Sequence, residues 1–412
     1  MNLIRRAKER GDFVIVADYL PDCPGAALAD AHVQVSTFDY EGVLRAASEY
    51  RAEGIVTMGT DQPVLTAAMV AEKLGLPFYI SPDTARAVTN KRVMKELFRK
   101  HKIPCVPSVL VGEGFRESDI QGLRFPAVLK PVDSQGQRGI FLVDDVAEAQ
   151  RRIRDTLRFS REDRALMEEF YKNDELTVNG WMENGKATVL SVVDRVTMKN
   201  TRHIGVCLCH NYPSMHWKVH QKEIISLTER IVSAFQIRNG PIYFQYLVGA
   251  EGLKVNEIAA RIGGAYEDIT LPWIAGVDVL EMLLDYTEYG RCDTQALKNR
   301  RTIGTGYCLS TQLFFFKPGI VRELTPVEEM LTLPGVRAMH YNVREGDEIP
   351  KIENATARAG YLMAEGGSFS AMIHNVNAAF ERLRAFDAEG NDLVIRYRDY
   401  EGKYLFTEET EA

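Results

Sequence analysis

The stretch Phe125-Pro126-Ala127-Val128-Leu129-Lys130-Pro131, followed by Ser134-Gln135-Gly136-Gln137-Arg138-Gly139 and then Ile140-Phe141-Leu142-Val143, decides the fold. Two apolar runs of strand length flank a glycine-rich turn, which reads as a hairpin. Glycines leave backbone N–H groups free to approach phosphate oxygens, so the turn is a candidate phosphate-covering loop. A P-loop would need Gly-Lys-Ser/Thr opening a helix, and this loop has neither. Lys130 stands on the strand that enters the loop, where its ammonium meets the same phosphates. Read alone, the segment is equally a surface hairpin with a snorkelling lysine.

Two further stretches follow in order. Residues 164–170 read as a strand with a polar end, Met167-Glu168-Glu169-Phe170-Tyr171, and Glu175 opens the next strand. Such a strand end offers backbone groups to a purine edge, and a nearby carboxylate takes the ribose hydroxyls. Taken singly, Glu168, Glu169 and Glu175 are as readily solvated surface charges. The third stretch places Gln245 on a strand at 242–248 and Val255-Asn256-Glu257-Ile258-Ala259-Ala260-Arg261 after the turn at 249–252. Gln245 and Glu257 then face one another on paired strands. Magnesium takes oxygen ligands, usually one or two carboxylates with phosphate and water, so these two are the candidate metal ligands. Arg261 is placed to neutralise charge on a transferred phosphoryl group or an acyl phosphate.

Around these stretches the chain alternates. Residues 1–85 carry expected strands at 13–17, 31–35 and 54–57 and helices at 40–52 and 62–74, which implies a parallel sheet covered on both faces. The chain opens on a helix, 2–10, where this class begins with a strand and a glycine-rich turn. The first strand is expected to be missing, leaving an edge beside 13–17 that upstream residues, a homodimer partner or the C-terminal region would cover. Helices are expected at 88–101, with Met94, Leu97 and Phe98 on one face, and at 218–235. From Thr305 onward, short strands separated by Pro318-Gly319, Pro334-Gly335 and Glu345-Gly346 precede a helix at 369–384 and a hairpin around 389–392. The predicted division is an α/β domain over 1–85, a nucleotide-binding domain over 86–304 with a lid subdomain at about 124–190, and an α+β region over 305–412.

Composition narrows the function. A net charge of -7 argues against non-specific nucleic-acid binding. Six scattered cysteines fit a reducing cytoplasm better than a secreted disulfide framework. Cys207-x-Cys209-His210 alternates with apolar Val206 and Leu208 and reads as a strand, because structural zinc wants four ligands and no second pair follows. The apolar run at 13–17 is too short for a signal sequence, and no segment approaches the roughly 20 apolar residues of a membrane span. Gly-x-Ser-x-Gly is absent, and Trp217 stands where a His216-x-x-x-His220 metalloprotease motif needs glutamate. His203, His210, His216 and His220 cluster in one stretch, either as a loop over a cleft with one histidine on substrate or as exposed side chains.

In this order the three stretches resemble the ATP-grasp superfamily along nearly the whole chain, its carbamoyl-phosphate-synthetase-like and amino-acid-ligase members above all. The segment Asn256-Glu257-Ile258-Ala259 is also similar to the purine-pathway carboxylating enzyme. The resemblance implies an ATP-grasp fold, mixed α/β and α+β, with a Rossmann-like pre-ATP-grasp domain in front. Pro24-Gly25, Ala29-Asp30 and Thr60-Asp61 carry that part of the likeness. The resemblance further implies that Lys91, in Thr89-Asn90-Lys91, and Lys130 hold phosphates, with Ser134, Gly136 and Gly139 in the lid. Glu168, Glu169, Phe170 and Tyr171 correspond to the adenine hinge and Glu175 to the ribose-binding acid. Gln245 and Glu257 correspond to the metal ligands and Arg261, with Lys130, to the catalytic residues. Gln245 replaces a carboxylate found in many relatives, and Ala259 an asparagine, so the metal site carries one carboxylate.

The activity so implied is an ATP-dependent carboxylate–amine ligase using ATP and Mg²⁺, or Mn²⁺ in its place. A substrate carboxylate attacks the γ-phosphate, Arg261 neutralises the developing charge, and an amine displaces phosphate from the acyl phosphate while the lid excludes water. The partners are small-molecule carboxylates and amines, with neither nucleic acid nor membrane. Two rivals share the machinery: activation of bicarbonate to carboxylate or carbamoylate a metabolite, and nucleotide binding without turnover.

Overall fold

Helix α1 (Asn2–Glu9) leads into strands β1 (Ile15–Asp18) and β2 (Ala31–Gln34), which pair in parallel with Ile15 opposite Ala31. In this computed structural model the described residues are 1–134, 136–198 and 205–396, with the backbone of Arg398–Asp399 and Tyr404–Leu405. Helices α2 (Tyr40–Glu49), α3 (Val64–Leu74) and α4 (Pro82–Thr89) follow. Gly75 ends α3 in the left-handed region at φ 69°, the C-terminal stop that a Gly-Leu-Pro sequence signals.

Two expectations for this region fail. Residues 54–57 are not a strand, and β1–β2 is a two-stranded sheet whose residues are only half-buried, not a sheet covered on both faces. The reason is local packing. A Cβ on Gly54 would lie 2.7 Å from Thr287, and the Gly59 N–H goes to Ile262 O at 3.1 Å. The segment runs along Thr287 and Ile262 instead of extending the sheet.

The expected helix at 88–101 is divided at Asn90. Its extended backbone (φ -111°, ψ 113°) caps α5 (Lys91–Lys100), with the side chain accepting from Arg92 N at 3.0 Å and Val93 N at 3.2 Å. A small antiparallel sheet then forms from β3 (Ser108–Val111), β4 (Ala127–Pro131), β5 (Phe141–Val143) and β6 (Ala165–Glu169), in the order β3-β6-β4-β5. Its core of Leu129, Val143 and Met167 packs on Ala149 and Ile153 of α6 (Val146–Leu157). The small sheet therefore begins before residue 124 and ends at Glu169.

An eight-stranded antiparallel sheet carries the rest. Its strands include β7 (Asn173–Glu183), β8 (Lys186–Thr197), β9 (Cys207–Tyr212), β10 (Gly240–Gly249), β11 (Gly252–Ala259) and β12 (Cys308–Phe314). The order is β11-β10-β7-β8-β9-β12, continued by Gly360–Gly366 and Val336–Tyr341. Strands beyond Thr305 thus extend the central sheet. Helices α7 (Trp217–Ala234), α8 (Glu267–Ala275) and α9 (Val279–Tyr289) contribute to its main core, with Trp181, Phe244, Ile231 and Leu271 among the buried side chains. Helix Phe369–Arg382 covers the C-terminal end through Val376, Ala379 and Phe380. The expected turn near residue 390 is present, with Asp387 N bonded to Asn391 O at 3.1 Å.

Helix α1 is tied to this core by ion pairs. Arg6 meets Asp278 at 2.9 Å, and Arg10 meets Asp285 at 2.9 Å and Glu288 at 2.7 Å. Among the described residues no helix is long and apolar enough to cross a membrane.

Candidate active site

Helix α5 stands between the two sheets and presents two lysines one turn apart, Lys91 and Lys95, an i,i+4 pair on one face. The cap at Asn90 and the bond from Lys91 N to Val132 O, 2.8 Å, dock the start of the helix against the end of β4. From there Lys91 Nζ donates to Ser134 O at 2.8 Å and pairs with Glu257 Oε1 on β11 at 3.2 Å. Lys95 Nζ lies 2.5 Å from Glu168 Oε1 on β6, and Lys130 pairs with the other oxygen of the same carboxylate. Lys130 sits opposite Leu166 in the β4–β6 ladder, so Glu168 is its diagonal neighbour.

Lys91, Lys95, Lys130 and Glu168 are buried, and Glu257 keeps about a quarter of its side chain exposed. Three ammonium groups face two carboxylates, leaving one positive charge in excess in a desolvated site. Burial opposes ionisation of Glu168, but Lys130 and Lys95 outweigh it and bring its carboxyl down to about 2. Burial likewise opposes ionisation of Glu257, and Lys91, Lys130 and Arg261 hold it below the usual carboxylate range. Burial lowers the Lys130 ammonium, with Lys95 and Lys91 adding to the effect and Glu168 opposing it. A cationic pocket with little water is where a polyphosphate gains most from charge-assisted hydrogen bonds.

Gln245 and Glu257 lie directly opposite one another on β10 and β11, the register anticipated from the sequence. Among the described residues no group of three or more His, Cys, Asp or Glu side chains could hold a metal ion. The donors on offer are one carboxylate and one amide oxygen, hard ligands of the kind Mg²⁺ takes alongside phosphate and water. Arg261, just beyond β11, forks onto Asp61 at 2.7 and 3.1 Å and lies over the Tyr243 ring at 4.8 Å.

The loop after Lys130 has the conformation its glycines permit. Gly136, Gln137 and Gly139 all have positive φ, from 61° to 70°, and a Cβ on Gly139 would meet Phe159 at 2.7 Å. Ser134 lends its carbonyl to Lys91, whereas Gln135 lies outside the described residues.

The residues expected to form the hinge make different contacts. Glu169 is clamped by Arg124 through Nε at 2.9 Å and Nη2 at 2.7 Å. Phe170 is open to solvent, and its N–H donates to Pro126 O at 2.9 Å. Tyr171 packs on Val106 and Leu247 and donates its hydroxyl to Gly252 O at 2.8 Å. Glu175 is ion-paired with Arg195, its direct neighbour across β7–β8.

The same face of the large sheet continues past Arg195 to His210, the opposite residue on β9. His210 Nδ1 stands 3.4 Å from Glu267 Oε1 at the start of α8. Burial opposes protonation of His210, but Cys207 and Glu267 outweigh it and push the imidazole up to about 9. The four histidines of the sequence cluster do not share one loop. His210 is in a strand, His216 and His220 lie at and in α7, and His203 is outside the described residues. Sequence reasoning missed Lys95, the Asp61 partner of Arg261, and the Arg195–His210–Glu267 end of the face. The spacing of Lys95 from Lys91 was a usable signal; the other contacts are tertiary.

Comparison with known proteins agrees with this architecture. Residues 123–268 match the ATP-grasp domain family, and residues 312–385 match L-amino acid ligase C-terminal domain 2. The chain is a member of the ATP-grasp superfamily and an ATP-dependent bond-forming enzyme. It is 21% identical over 329 residues to dapdiamide A synthase of Enterobacter agglomerans, spanning 78% of this chain and 76% of that one. An L-arginine-specific L-amino acid ligase of Bacillus subtilis is 23% identical over 311 residues, 72% and 71% of the two chains. Among solved structures, the L-amino acid ligase from Bacillus licheniformis superposes with a TM-score of 0.80 at 17% identity, over 94% of this chain and 95% of that one. N5-carboxyaminoimidazole ribonucleotide synthetase from Thermotoga maritima gives 0.65 at 19% identity, over 93% and 96%.

Proposed function

We propose that the chain is a carboxylate–amine ligase that forms an amide through an acyl phosphate and releases ADP and phosphate. The observation that carries this reading is the set of three buried lysines, Lys91, Lys95 and Lys130, held by Glu168 and the partly exposed Glu257 beside Arg261. The match of residues 312–385 to an L-amino acid ligase domain supports an amino acid as one substrate.

In this account ATP enters between the two sheets, and its phosphates draw Lys91 and Lys130 from their carboxylate partners. Glu257 and Gln245 would hold Mg²⁺, which supplies charge neutralisation at the phosphates when bound. A substrate carboxylate oxygen attacks the γ-phosphorus, the bond to the β,γ-bridging oxygen breaks, and ADP leaves. Arg261 stabilises the charge on the equatorial oxygens. The amine nitrogen then attacks the acyl carbon, loses its proton and expels phosphate, while the Ser134–Gly139 loop keeps water out. The division at residues 85 and 304 and the adenine and ribose roles of Glu168, Glu169, Phe170, Tyr171 and Glu175 belong to the same proposal.

An ADP-release screen with Mg²⁺ against a matrix of carboxylates and amines tests the reading. Release that needs both an acid and an amine, with an amide in the products, is the expected result. Release with bicarbonate and no amino acid would assign the carboxylating chemistry instead. ATP binding without release across the matrix would remove the ligase reading.

A further inference from the structure

The sheet face that carries Gln245 and Glu257 ends at a corner built from three parts of the chain. Beyond Arg261 the backbone crosses the face through Gly263-Gly264, and Ala265 packs on Cys207 of β9 and Leu313 of β12. Tyr266 comes next, in the left-handed region at φ 67° and ψ 35°, where a bulky side chain is strained and is held only by its surroundings. Its ring centre lies 4.0 Å from that of Tyr361, tilted by 41°, on strand Gly360–Gly366 of the C-terminal region.

Arg358 enters this corner two residues before that strand. Its backbone is fixed: Asn342 Nδ2 donates to Arg358 O at 3.2 Å, and the neighbouring Ala359 N donates to Phe314 O at 2.9 Å. The guanidinium lies 5.9 Å from the centre of the Tyr266 ring and adds, after His210 and Arg195, to the positive charge around Cys207. Yet Arg358 Nε is buried with no hydrogen-bond partner. Among the described residues its guanidinium makes no ion pair either, and it lies against the Tyr266 ring.

The other arginines of this face are saturated. Arg195 has Glu175 and donates to Gly205 O at 2.6 Å, while Arg261 has Asp61 and Ile262 O. A buried guanidinium donor left unpaired is costly, and an acceptor supplied by a ligand would relieve that cost. The planar fork of arginine matches a carboxylate. The phosphates already have their own cations in Lys91, Lys95 and Lys130. Tyr266 stands five positions after Arg261, a reach of at most roughly 18 Å. The corner therefore adjoins the point where the acyl group is activated without coinciding with it.

We propose that Arg358 binds the free carboxylate of the amine substrate, so that the acceptor is an amino acid held by its carboxylate with its amine turned toward the acyl phosphate. This rests on the ligase reading above and gives it a substrate class for the acceptor side. It also gives the C-terminal region a direct part in the site.

The test uses the full chain and an acceptor found by screening the proteinogenic amino acids for amide formation. The Michaelis constant of that amino acid is compared with that of its carboxamide, in wild type, Arg358→Gln and Arg358→Lys. Wild type should prefer the acid, and Arg358→Gln should raise the constant for the acid by about 10–100-fold, the loss of one charge-assisted contact. The constant for the carboxamide and the ATP dissociation constant should stay within twofold of wild type, the latter also reporting an intact fold. Arg358→Lys should recover part of the loss. Equal use of acid and carboxamide by wild type, or a change confined to the carboxylate donor, overturns the assignment while leaving the ligase intact. A wild type that forms no amide with any amine overturns both.

Discussion

Arg261 and Asp61, 200 positions apart, form a buried bidentate pair with Nε–Oδ1 at 2.7 Å and Nη2–Oδ2 at 3.1 Å. Burial opposes the charged guanidinium, but Asp61 outweighs it and holds Arg261 further above its ordinary range. The pair joins the N-terminal segment to the end of β11 and fixes the plane of the arginine proposed to act on the transferred phosphoryl group. Removing one member of a buried pair leaves the other uncompensated, at a cost of about 3–5 kcal/mol. Asp61→Asn is therefore expected to lower unfolding free energy in denaturant and to reduce kcat more than it raises the KM for ATP. Asp61→Leu with Arg261→Met should regain stability without regaining turnover. Equal kcat in wild type and Asp61→Asn would show that the pair does not position Arg261.

Lys130 gives a second prediction. Replacement by alanine removes one charge-assisted phosphate contact, of the order of 1.5–3 kcal/mol, and should weaken ATP binding by about 10–100-fold in calorimetry. The expected contact rests on burial and on Lys95 and Lys91, which together disfavour the Lys130 charge more than Glu168 supports it, so a phosphate would relieve that site. An unchanged dissociation constant would take the phosphate role from it.

Glu257 is the one carboxylate facing Gln245. Glu257→Gln should retain measurable ATP binding and lose Mg²⁺-dependent turnover, since the paired strands then offer two amides and no anion. Turnover at the wild-type rate would place the metal elsewhere.

The buried His210 sets a pH dependence. Its folded pKa is raised from 6.5 to about 9 by Cys207 and Glu267 against the opposing effect of burial. A group raised on folding contributes stability that is fully present below its unfolded pKa and is lost as pH rises through the folded one. The His210 contribution to unfolding free energy should thus fall between pH 6.5 and about 9 by at most about 3 kcal/mol, the lowered Cys207 thiol offsetting part of it, and His210→Gln should change that slope. Parallel profiles for wild type and variant would contradict the assignment.

What was legible in the sequence was local. The β4–loop–β5 hairpin, the opposed Gln245 and Glu257 and the apolar stripe of Met94 and Phe98 all follow from strand alternation, turn glycines and helical spacing, which neighbouring residues impose. The misread segment at 54–57 has the apolar content of a strand, but its ladder partner is set by tertiary packing on Thr287 and Ile262. The break at Asn90 was signalled by a residue that caps well, within a window whose periodicity runs on. Asp61 beside Arg261 and Arg358 over Tyr266 depend on contacts between distant segments. No single-sequence pattern reports those.

The central claim is the acyl phosphate, and transfer of oxygen-18 tests it most directly. With the acid substrate labelled in its carboxylate, ATP and an amine, attack on the γ-phosphorus moves one carboxylate oxygen into the phosphate that leaves. The account predicts labelled inorganic phosphate in step with amide formation, and unlabelled ADP. Amide formed with no label in the phosphate would contradict it.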